Sequence, residues 1–454
     1  MKSLNRRDFL RIGVVTLGSG LAAGMAGCAP VPAQPAAPAA AGEAAPAAPA
    51  AAASGKLTFW QPVDNHYKAF EYFRTKVADF QGKYPKFTVD MVEYPFVGFE
   101  AKFLAAFAGR TNAPDIFVGL TAPWAGCVGV ADPMPADLVT LCEREILPPF
   151  FNVMKYKGTW YGYPDGPTNG LGSMLFYNTD YFAAEGLTEP PKTMDELYEF
   201  AKVLARKEGD NVTRSGFAHR YDDARGAGSG SKIIPFLHAF GARIYDQDNN
   251  KAQGVANSEQ AITAMEFAQK LVKEGLSSIT MGKPESQFAA GNAAMFFRES
   301  FMVGWLKDNA PDIKYAVSYV PKGTSDAMGA TGVVDWAMMV NKFSPNREAA
   351  WDFIRQVVAT PEGDVEASKL NGSPVAWKSN MDAPHMLERP DHEVLTYASE
   401  HFVDALYTHG RHQELGDRHA LAIQEILLLA KTPKEALDQA AADMQAIMDK
   451  GECA

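Results

Sequence analysis

Lys-Leu-Thr-Phe-Trp at residues 56–60 opens the part of the chain that decides the fold, and two further apolar stretches follow it at 87–92 and 115–119. Each stretch is short and rich in β-branched or aromatic residues, which is typical of strands. The intervening segments carry apolar side chains at near-helical spacing, namely Tyr67, Phe70, Phe73, Val77 and Phe80 in the first and Phe99, Phe103 and Phe107 in the second. Strands alternating with helices predict a βαβαβ unit and an open α/β sheet.

Later segments carry signals for the start of helices. Thr193 to Glu196 and Thr432 to Glu435 both match the capping-box pattern, and Ser344-Pro345 predicts a cap with proline in the first turn. The run from Gly226 to Gly230 has the composition of a flexible loop and lacks the last glycine of a dinucleotide-binding loop. Helices separate the strands throughout, and residues 56–454 are long enough for two lobes of ordinary domain size.

The N-terminal region predicts export and lipidation. Residues 1–27 place Arg6-Arg7 before a short apolar run, which resembles a Tat signal, although a basic start also suits the Sec route. Met-Ala-Gly-Cys at 25–28 resembles the lipobox of bacterial lipoproteins and predicts lipid on Cys28; a plain signal peptide or an uncleaved helix is the alternative. Residues 28–55 are this cysteine and an Ala/Pro-rich spacer, which we expect to be a disordered tether.

Charge and cysteine content exclude or disfavour several functional classes. The net charge is −11, and removal of residues 1–27 takes away four basic side chains and one acidic one, which makes it −14. A chain this acidic is not expected to bind nucleic acid. Cys127, Cys142 and Cys453 form no CxxC pair, so neither a zinc site nor a dense disulfide framework is predicted. A bridge from Cys127 to Cys142, or two buried free thiols, both remain open.

Motifs for catalysis, metal binding and cofactor binding are missing. The sequence has no GxSxG, Walker A or HExxH motif. His409, His412 and His419 match no zinc spacing and are expected on a solvated or hydrogen-bonded surface. Asp222-Asp223 cannot alone support general acid and base catalysis in so acidic a chain. We therefore expect no enzyme activity, no cofactor and no metal.

Aromatic residues at predicted strand ends favour a ligand site. Trp60 ends the first strand, Trp124 follows the third, and Tyr161 and Tyr163 flank a glycine before Pro164. Ligands of open α/β sheets bind at strand ends, and aromatic faces suit the C–H faces of sugars. The short polar side chains that could bind hydroxyl groups nearby are Asp64, Asn65, Asp165 and Asp335. Any single Trp could instead pack in the core.

Several segments, in order, resemble the family of extracellular solute-binding proteins that includes maltose-binding protein. The resemblance rests on 56–60, Pro114-Asp115-Ile116, Gly-Thr-Trp-Tyr-Gly-Tyr-Pro at 158–164, Leu-Phe-Tyr-Asn at 175–178, 190–197, and Phe-Ala-Ala-Gly-Asn-Ala-Ala-Met at 288–295. Two late helices, at 341–354 and 435–447, extend it almost to the C-terminus.

The resemblance implies a two-lobed, type II periplasmic-binding-protein-like fold with the ligand cleft between the lobes. Lobe 1 would comprise 56–165 and 322–372, and lobe 2 would comprise 166–321 and 373–454, with crossings near 164–168, 317–321 and 373–375. A ligand that contacts the closed form better would stabilise closure. By this resemblance the protein would be a monomer outside the cytoplasm that delivers a sugar, mono- or oligosaccharide, to an ABC import permease.

The same resemblance implies ligand contacts at particular positions. Lobe 1 would contribute Trp60, Asp64, Asn65, Trp124, Tyr163, Asp165, Asp335 and Trp336, and lobe 2 would contribute Tyr221, Asp223, Arg298, Glu299 and Phe301. Asn65 and Phe301 differ from the basic residue and the stacking Trp of maltose-binding protein, so maltose itself is in doubt. For Arg298 and Glu299 a structural salt bridge is an alternative.

Two other functional classes stay open. The first is a binding protein for a non-sugar solute. The acidic set Asp64, Asp165, Asp223 and Asp335 would suit a polyamine. An anionic ligand would need several Arg or Lys residues near the strand ends, and few are present. A secreted enzyme acting on polysaccharide would need two essential residues with displaced pKa values, which the sequence does not propose.

Overall fold

The computed structural model describes residues 55–63, 69–95, 98–109, 112–166, 170–221, 227–325, 336–401 and 409–453. The strands are β1 (Lys56–Val63), β2 (Thr88–Pro95), β3 (Ile116–Leu120), β4 (Lys155–Tyr156), β5 (Thr159–Trp160), β6 (Gly162–Pro164), β7 (Ser173–Asn178), β8 (Arg206–Glu208), β9 (Asn211–Arg214), β10 (Met295–Glu299), β11 (Tyr315–Ser318) and β12 (Ala337–Val340). The helices are α1 (Ala69–Lys83), α2 (Phe99–Gly109), α3 (Ala122–Cys127), α4 (Ala136–Glu145), α5 (Phe151–Met154), α6 (Thr179–Ala184), α7 (Met194–Leu204), α8 (Ala227–Ala239), α9 (Glu259–Lys273), α10 (Pro284–Ala289), α11 (Met302–Asn309), α12 (Arg347–Phe353), α13 (Pro361–Asn371), α14 (Pro384–Leu387), α15 (His392–Glu400), α16 (His412–Leu427) and α17 (Pro433–Met448).

The predicted βαβαβ unit is confirmed and forms one half of a five-stranded sheet. The strand order is β2-β1-β3-β12-β6, in which β1 runs parallel to β2 and β3, and β12 pairs antiparallel with β3 and β6. Phe73 and Phe80 of α1 and Phe103 of α2 are buried against opposite faces of this sheet, in separate apolar clusters. We call this sheet with α1, α2, α3 and α13 the first lobe.

A second sheet has the order β10-β7-β11, with both outer strands antiparallel to β7. One face of it packs on α8, α9, α16 and α17 through Leu175, Met295 and Phe297. We call this sheet with these four helices the second lobe. The chain leaves the first sheet after β6 and enters the second at β7, returns between β11 and β12, and passes over again between α13 and α16.

Helix starts were predicted with mixed success. Thr432 caps α17 with the full capping box, and Thr193 caps α7, although the carboxylate of Glu196 accepts its bond from the backbone of Lys192. The cap predicted at Ser344 is wrong, because α12 begins at Arg347 and the Ser344 hydroxyl is bonded to the buried carboxylate of Asp115. That carboxylate also accepts from Thr58 N at 2.7 Å, so satisfying it takes precedence over capping.

The loop predicted at 226–230 is wrong for residues 227–230, which form the first turn of α8. The tertiary packing of the apolar residues that follow, Ile233 and Ile234 among them, outweighs the low helix propensity of the glycines.

The cysteines pair differently from the bridge considered above. Cys127 is joined to Cys453, 326 residues away, with their Cα atoms 5.2 Å apart, while Cys142 is a buried free thiol. His409 and His419, expected near solvent or in hydrogen bonds, are both buried. Within the described ranges no helix is both long and apolar enough to cross a membrane.

Candidate functional site

Nine of the thirteen predicted ligand-binding residues fall in the part of the chain that the structure describes. Asp64, Asn65, Asp223 and Asp335 lie outside the described residues, as does the predicted lipidation site Cys28. The nine others divide into a group of the first lobe and a group of the second lobe.

The first-lobe group contains a cluster of aromatic rings around the middle of β1 and the carboxyl end of β3. Trp60 packs on Tyr94 and Phe103, with ring centroids 4.8 and 5.3 Å apart, and only 7% of its surface is exposed. Trp336, just before β12, lies 5.8 Å from the ring of Phe99. Trp60 is therefore mostly committed to the core, whereas Trp336 is only partly buried.

Trp124 belongs to the same cluster. It lies in the first turn of α3, where Thr121 caps the helix by accepting a bond from Trp124 N, and its side chain is half-buried against the cluster. Because α3 follows β3 directly, this geometry brings Trp124 to the same aromatic cluster as Trp60 and Trp336. Trp124 follows the third strand as predicted, but the prediction that Trp60 ends the first strand is wrong, because β1 continues to Val63.

Tyr163 and Asp165 lie at the point where the chain leaves the first sheet. The Tyr163 hydroxyl accepts a bond from Trp377 Nε1 at 2.6 Å, and burial together with the nearby Asp364 carboxylate raises the pKa of Tyr163 well above its usual value. Asp165 is fully buried, and its charge contributes to raising the pKa of Tyr72. Both predicted contact residues are thus interior groups in this structure.

The second-lobe group centres on a chain of buried ion pairs. Arg298 lies between two carboxylates, with Nη1 2.7 Å from Glu285 Oε2 and Nε 3.0 Å from Glu299 Oε2. Arg220 pairs with the other oxygen of Glu285 at 2.7 Å, and Lys232 pairs with the other oxygen of Glu299. Charges therefore alternate along Lys232, Glu299, Arg298, Glu285 and Arg220, and we call these five residues the ionic chain.

Electrostatics in the ionic chain favour the charged form of both acids. Burial alone would raise the pKa of Glu299, but Lys232 and Arg298 outweigh it and lower that pKa to about 2. Arg298 and Arg220 likewise hold the pKa of Glu285 well below its usual range against the effect of burial. For Lys232 burial dominates over the attraction of Glu299, and its pKa is lowered.

The ionic chain lies at the end of the second sheet where the chain arrives from the first lobe. Glu299, the last residue of β10, pairs with Ser173, the first residue of β7. The next residue, Ser300, accepts a bond from Leu171 N through its hydroxyl at 3.1 Å. Charged side chains and the passage between the lobes therefore meet at one edge.

Two further predicted residues flank the ionic chain. Phe301 is buried, with its ring 5.1 Å from the guanidinium carbon of Arg298. Its ring therefore packs on that cation and is shielded from solvent. The Tyr221 hydroxyl accepts from Gly282 N at 3.0 Å and lies next to Arg220 in the chain. The salt bridge considered for Arg298 and Glu299 is present.

Three members of the ionic chain were missed by the sequence analysis: Arg220, Lys232 and Glu285. They come from a loop, from the middle of α8 and from the first turn of α10. No local motif connects such distant positions, and only the packing of α8 and α10 beside β10 unites them.

The described residues place aromatic surface on the first lobe and fixed hydrogen-bonding and charged groups on the second. No group of three or more His, Cys, Asp or Glu side chains that could hold a metal ion occurs within the described ranges. A separate cavity of about 590 Å³ lies between α11 and the end of α13, and none of the predicted site residues lines it. The arrangement suits binding of a polar molecule with apolar faces.

Sequence comparison places the chain among binding proteins. The family model described as bacterial extracellular solute-binding protein matches residues 64–364. A protein of Brucella abortus (strain 2308) described as a binding protein is 24% identical over 401 residues, which cover 84% of this chain and 91% of that protein. An ABC transporter-binding protein of Deinococcus radiodurans is 23% identical over 295 residues, 61% of this chain and 67% of its own length.

Solved structures share the fold across the same region. An ABC transporter solute-binding protein of Thermotoga lettingae bound to α-D-tagatose has a TM-score of 0.74 at 21% identity and covers 87% of this chain and 99% of its own. Maltose-bound MalE3 of T. maritima gives the same TM-score and identity, with 86% and 99% covered. The GacH receptor of Streptomyces glaucescens, solved with acarbose, has a TM-score of 0.70 at 20% identity, with 87% and 98% covered.

These likenesses confirm the predicted α/β, two-lobed fold with its cleft between the lobes. Because the family model covers well over half of the 454 residues, the chain belongs to the bacterial extracellular solute-binding protein family.

Proposed function

We propose that the protein captures a sugar, mono- or oligosaccharide, outside the cytoplasm and delivers it to an ABC import permease. The observation that carries the proposal is the cluster of Trp60, Trp124 and Trp336, in which Trp124 follows the carboxyl end of β3 and Trp336 precedes β12, the strand antiparallel to β3. Trp124 and Trp336 are only partly buried, so they offer flat apolar faces to sugar C–H groups, and strand ends are where ligands of such sheets bind. Several solved proteins of this fold are bound to tagatose, maltose or mannobiose, which supports the same class of ligand.

We propose further that Trp60, Asp64, Asn65, Trp124, Tyr163, Asp165, Asp335 and Trp336 of the first lobe, with Tyr221, Asp223, Arg298, Glu299 and Phe301 of the second, make up or support the binding cleft. Within this set, Trp124 and Trp336 would stack on the ligand, and the ionic chain would hold the opposite wall rigid. Trp60, Tyr163 and Phe301 would act mainly through packing, because all three are buried.

We also propose that the protein is exported and anchored to the membrane by lipid. Residues 1–27 would act as an export signal of the Tat type, Cys28 would carry lipid, and residues 29–55 would tether the monomeric binding body to the membrane. The permease would then recognise the closed, ligand-bound form. No catalysis is proposed, since the family consists of binding proteins.

A polyamine is the second candidate, because the acidic set Asp64, Asp165, Asp223 and Asp335 would attract a cation. The second-lobe wall speaks against it: three cations, Arg220, Lys232 and Arg298, gather there around two carboxylates that they already occupy. A second set of cations brought to this wall would meet repulsion.

A thermal-shift screen of residues 29–454 against mono- and oligosaccharides, polyamines, phosphodiesters and peptides tests the proposal. Residues 50–454 form one compact unit, so this variant retains the whole folded body. A ligand that binds only the native state raises the melting temperature. A rise of several degrees with one sugar class is the expected result; a rise with polyamines alone would overturn the choice of ligand.

A further inference from the structure

We propose that the Cys127–Cys453 disulfide is a tether that restricts how far the two lobes move relative to each other. Cys127 is the last residue of α3, whose Ala122 and Ala125 are packed into the aromatic cluster of the first lobe. Cys453 lies five residues beyond the end of α17, a helix of the second-lobe core. The bond therefore joins the lobes covalently beside the third chain passage, at Gly410.

The second-lobe end of this tether is held firmly. Gln445, in the last turn of α17, accepts a bond from Ala252 N at 2.8 Å and donates one to Asn250 O at 3.1 Å. These bonds fix the end of the helix to the loop before α9. From there the five residues up to Cys453 can span at most about 18 Å when fully extended. The tail can therefore follow a movement of α3 only within that reach.

Close contacts surround the bond on both sides. The Tyr156 hydroxyl, beside α3 in the first lobe, lies 2.9 Å from Cys453 Sγ and 3.3 Å from Cys127 Sγ. Lys157 Nζ lies 3.1 Å from Glu452 Oε2. Just before α16, Gly410 packs so tightly on the bond that a Cβ atom there would collide with Cys127 Sγ. The disulfide is thus packed within an interface between residues of both lobes.

The covalent bond is the part of this interface that sets a limit. The Lys157–Glu452 pair involves a mostly exposed lysine, and such pairs contribute little because water screens them. Hydrogen bonds and the packing contact of Gly410 can break and form again as the lobes move, whereas a disulfide stays intact. Opening and closing of the cleft move the lobes relative to each other, so a covalent bond across them restricts that motion.

This inference rests on the two-lobed fold and not on the identity of the ligand. Small-angle X-ray scattering of residues 29–454 without any added solute tests it, and its failure would leave the sugar proposal untouched. Three samples lack the bond: Cys453→Ser, Cys127→Ser, and the unsubstituted chain reduced with a phosphine, which converts the disulfide to two thiols and is itself oxidised to its oxide with water. Cys142→Ala, which removes the buried free thiol, and Glu452→Gln, which removes only the ion pair, are the matched controls.

The expected result is a larger radius of gyration in all three bond-free samples and an unchanged one in both controls. Hydrogen exchange should agree, with amides at 126–130 and 409–412 exchanging at least tenfold faster when the bond is absent. Circular dichroism identifies any variant that fails to fold, and the reduced unsubstituted chain then decides. Unchanged scattering and exchange in the folded bond-free samples would overturn the tether.

Discussion

The two lobes satisfy their buried carboxylates in opposite ways. In the first lobe, Asp364 accepts bonds from Ala376 N at 2.8 Å, Trp377 N at 3.2 Å and Asn380 Nδ2 at 2.8 Å, all neutral donors. In the second lobe, Glu299 is held by the cations Lys232 and Arg298. Burial raises the pKa of Asp364 to about 6, whereas the cations lower that of Glu299 to about 2.

The two walls of the proposed cleft are therefore built from different interactions. The first-lobe wall is aromatic surface over neutral hydrogen bonds. A side chain at its exposed edge can therefore be truncated without leaving a buried charge unpaired. The second-lobe wall is a set of mutually dependent charges, in which the loss of one cation leaves a buried carboxylate with one cationic partner in place of two. Substitutions on the two walls should therefore separate binding from stability.

Arg298→Met should have the largest effect. It removes the central cation from between Glu285 and Glu299 and should lower the free energy of unfolding by about 3–5 kcal/mol. Urea denaturation measures it. Arg355→Met is the control, because that arginine pairs with Asp137 and Asp352 at a partly exposed site and should cost about 1 kcal/mol or less. Equal losses for both variants would contradict the dependence ascribed to the ionic chain.

Truncation of the two tryptophans should divide stability from binding. Trp60→Ala should destabilise the fold by about 3–5 kcal/mol, because its ring is buried between Tyr94 and Phe103. Trp336→Ala should lower sugar affinity about 5- to 30-fold, which corresponds to about 1–2 kcal/mol of lost ring contact, with a smaller loss of stability. Calorimetric titration and thermal unfolding of both variants measure this, and an unchanged affinity in Trp336→Ala would remove that residue from the site.

The pH dependence of stability should show two windows of opposite sign. The folded-state pKa of Asp364 is raised, so the folded state holds its proton longer than the unfolded state, and stability should fall by up to about 3 kcal/mol as pH rises from about 4 to 6. The folded-state pKa of Glu299 is lowered, so its contribution is present above about pH 4.5 and is lost as pH falls towards 2.

Asp364→Asn and Glu299→Gln separate these windows when unfolding by urea is followed from pH 2.5 to 7. The first variant should lose the decline between pH 4 and 6 and keep the acid loss. The second should have a weaker acid loss and keep the decline. If Asp364→Asn leaves the slope between pH 4 and 6 as it was, another group is responsible for it.

Tyr221→Phe should have the smallest effect. The substitution removes the hydroxyl that accepts from Gly282 N and should cost about 0.5–1.5 kcal/mol of unfolding free energy. Chemical denaturation measures this loss. A much larger drop in ligand affinity than in stability would place Tyr221 in direct contact with the ligand, while a drop in stability alone would restrict it to positioning the loop at Gly282.

The periodicity of apolar residues predicted the elements of the first lobe well, but it did not predict the long-range ion pairs or the disulfide. The alternation that gave β1, α1, β2, α2 and β3 is local, since each element's apolar face is written in its own residues. The ionic chain could not be predicted, because Arg220 and Glu285 meet only after α10 has packed beside β10. The disulfide failed for the same reason: spacing made Cys142 the nearer partner of Cys127, yet the fold brings Cys453 to it.

Residue placement within the site shows the same limit. Trp124 lies just after β3 as predicted, whereas Trp60 lies within β1, which continues to Val63. A predicted strand end also does not say which face of the sheet a ring occupies or how much of it is covered. Trp60 proved to be mostly core, as its neighbours Tyr94 and Phe103 come from β2 and α2. Coverage by other elements is a property of tertiary packing, which one strand cannot encode.

Isothermal titration calorimetry of residues 29–454 with the sugar that gives the largest thermal shift, at low and at high salt, tests the central claim most directly. A sugar held by aromatic faces and hydrogen bonds should bind one to one with an affinity that salt barely changes, because screening acts on charges. Absence of heat with every sugar, together with salt-sensitive binding of a polyamine such as spermidine, would contradict the claim.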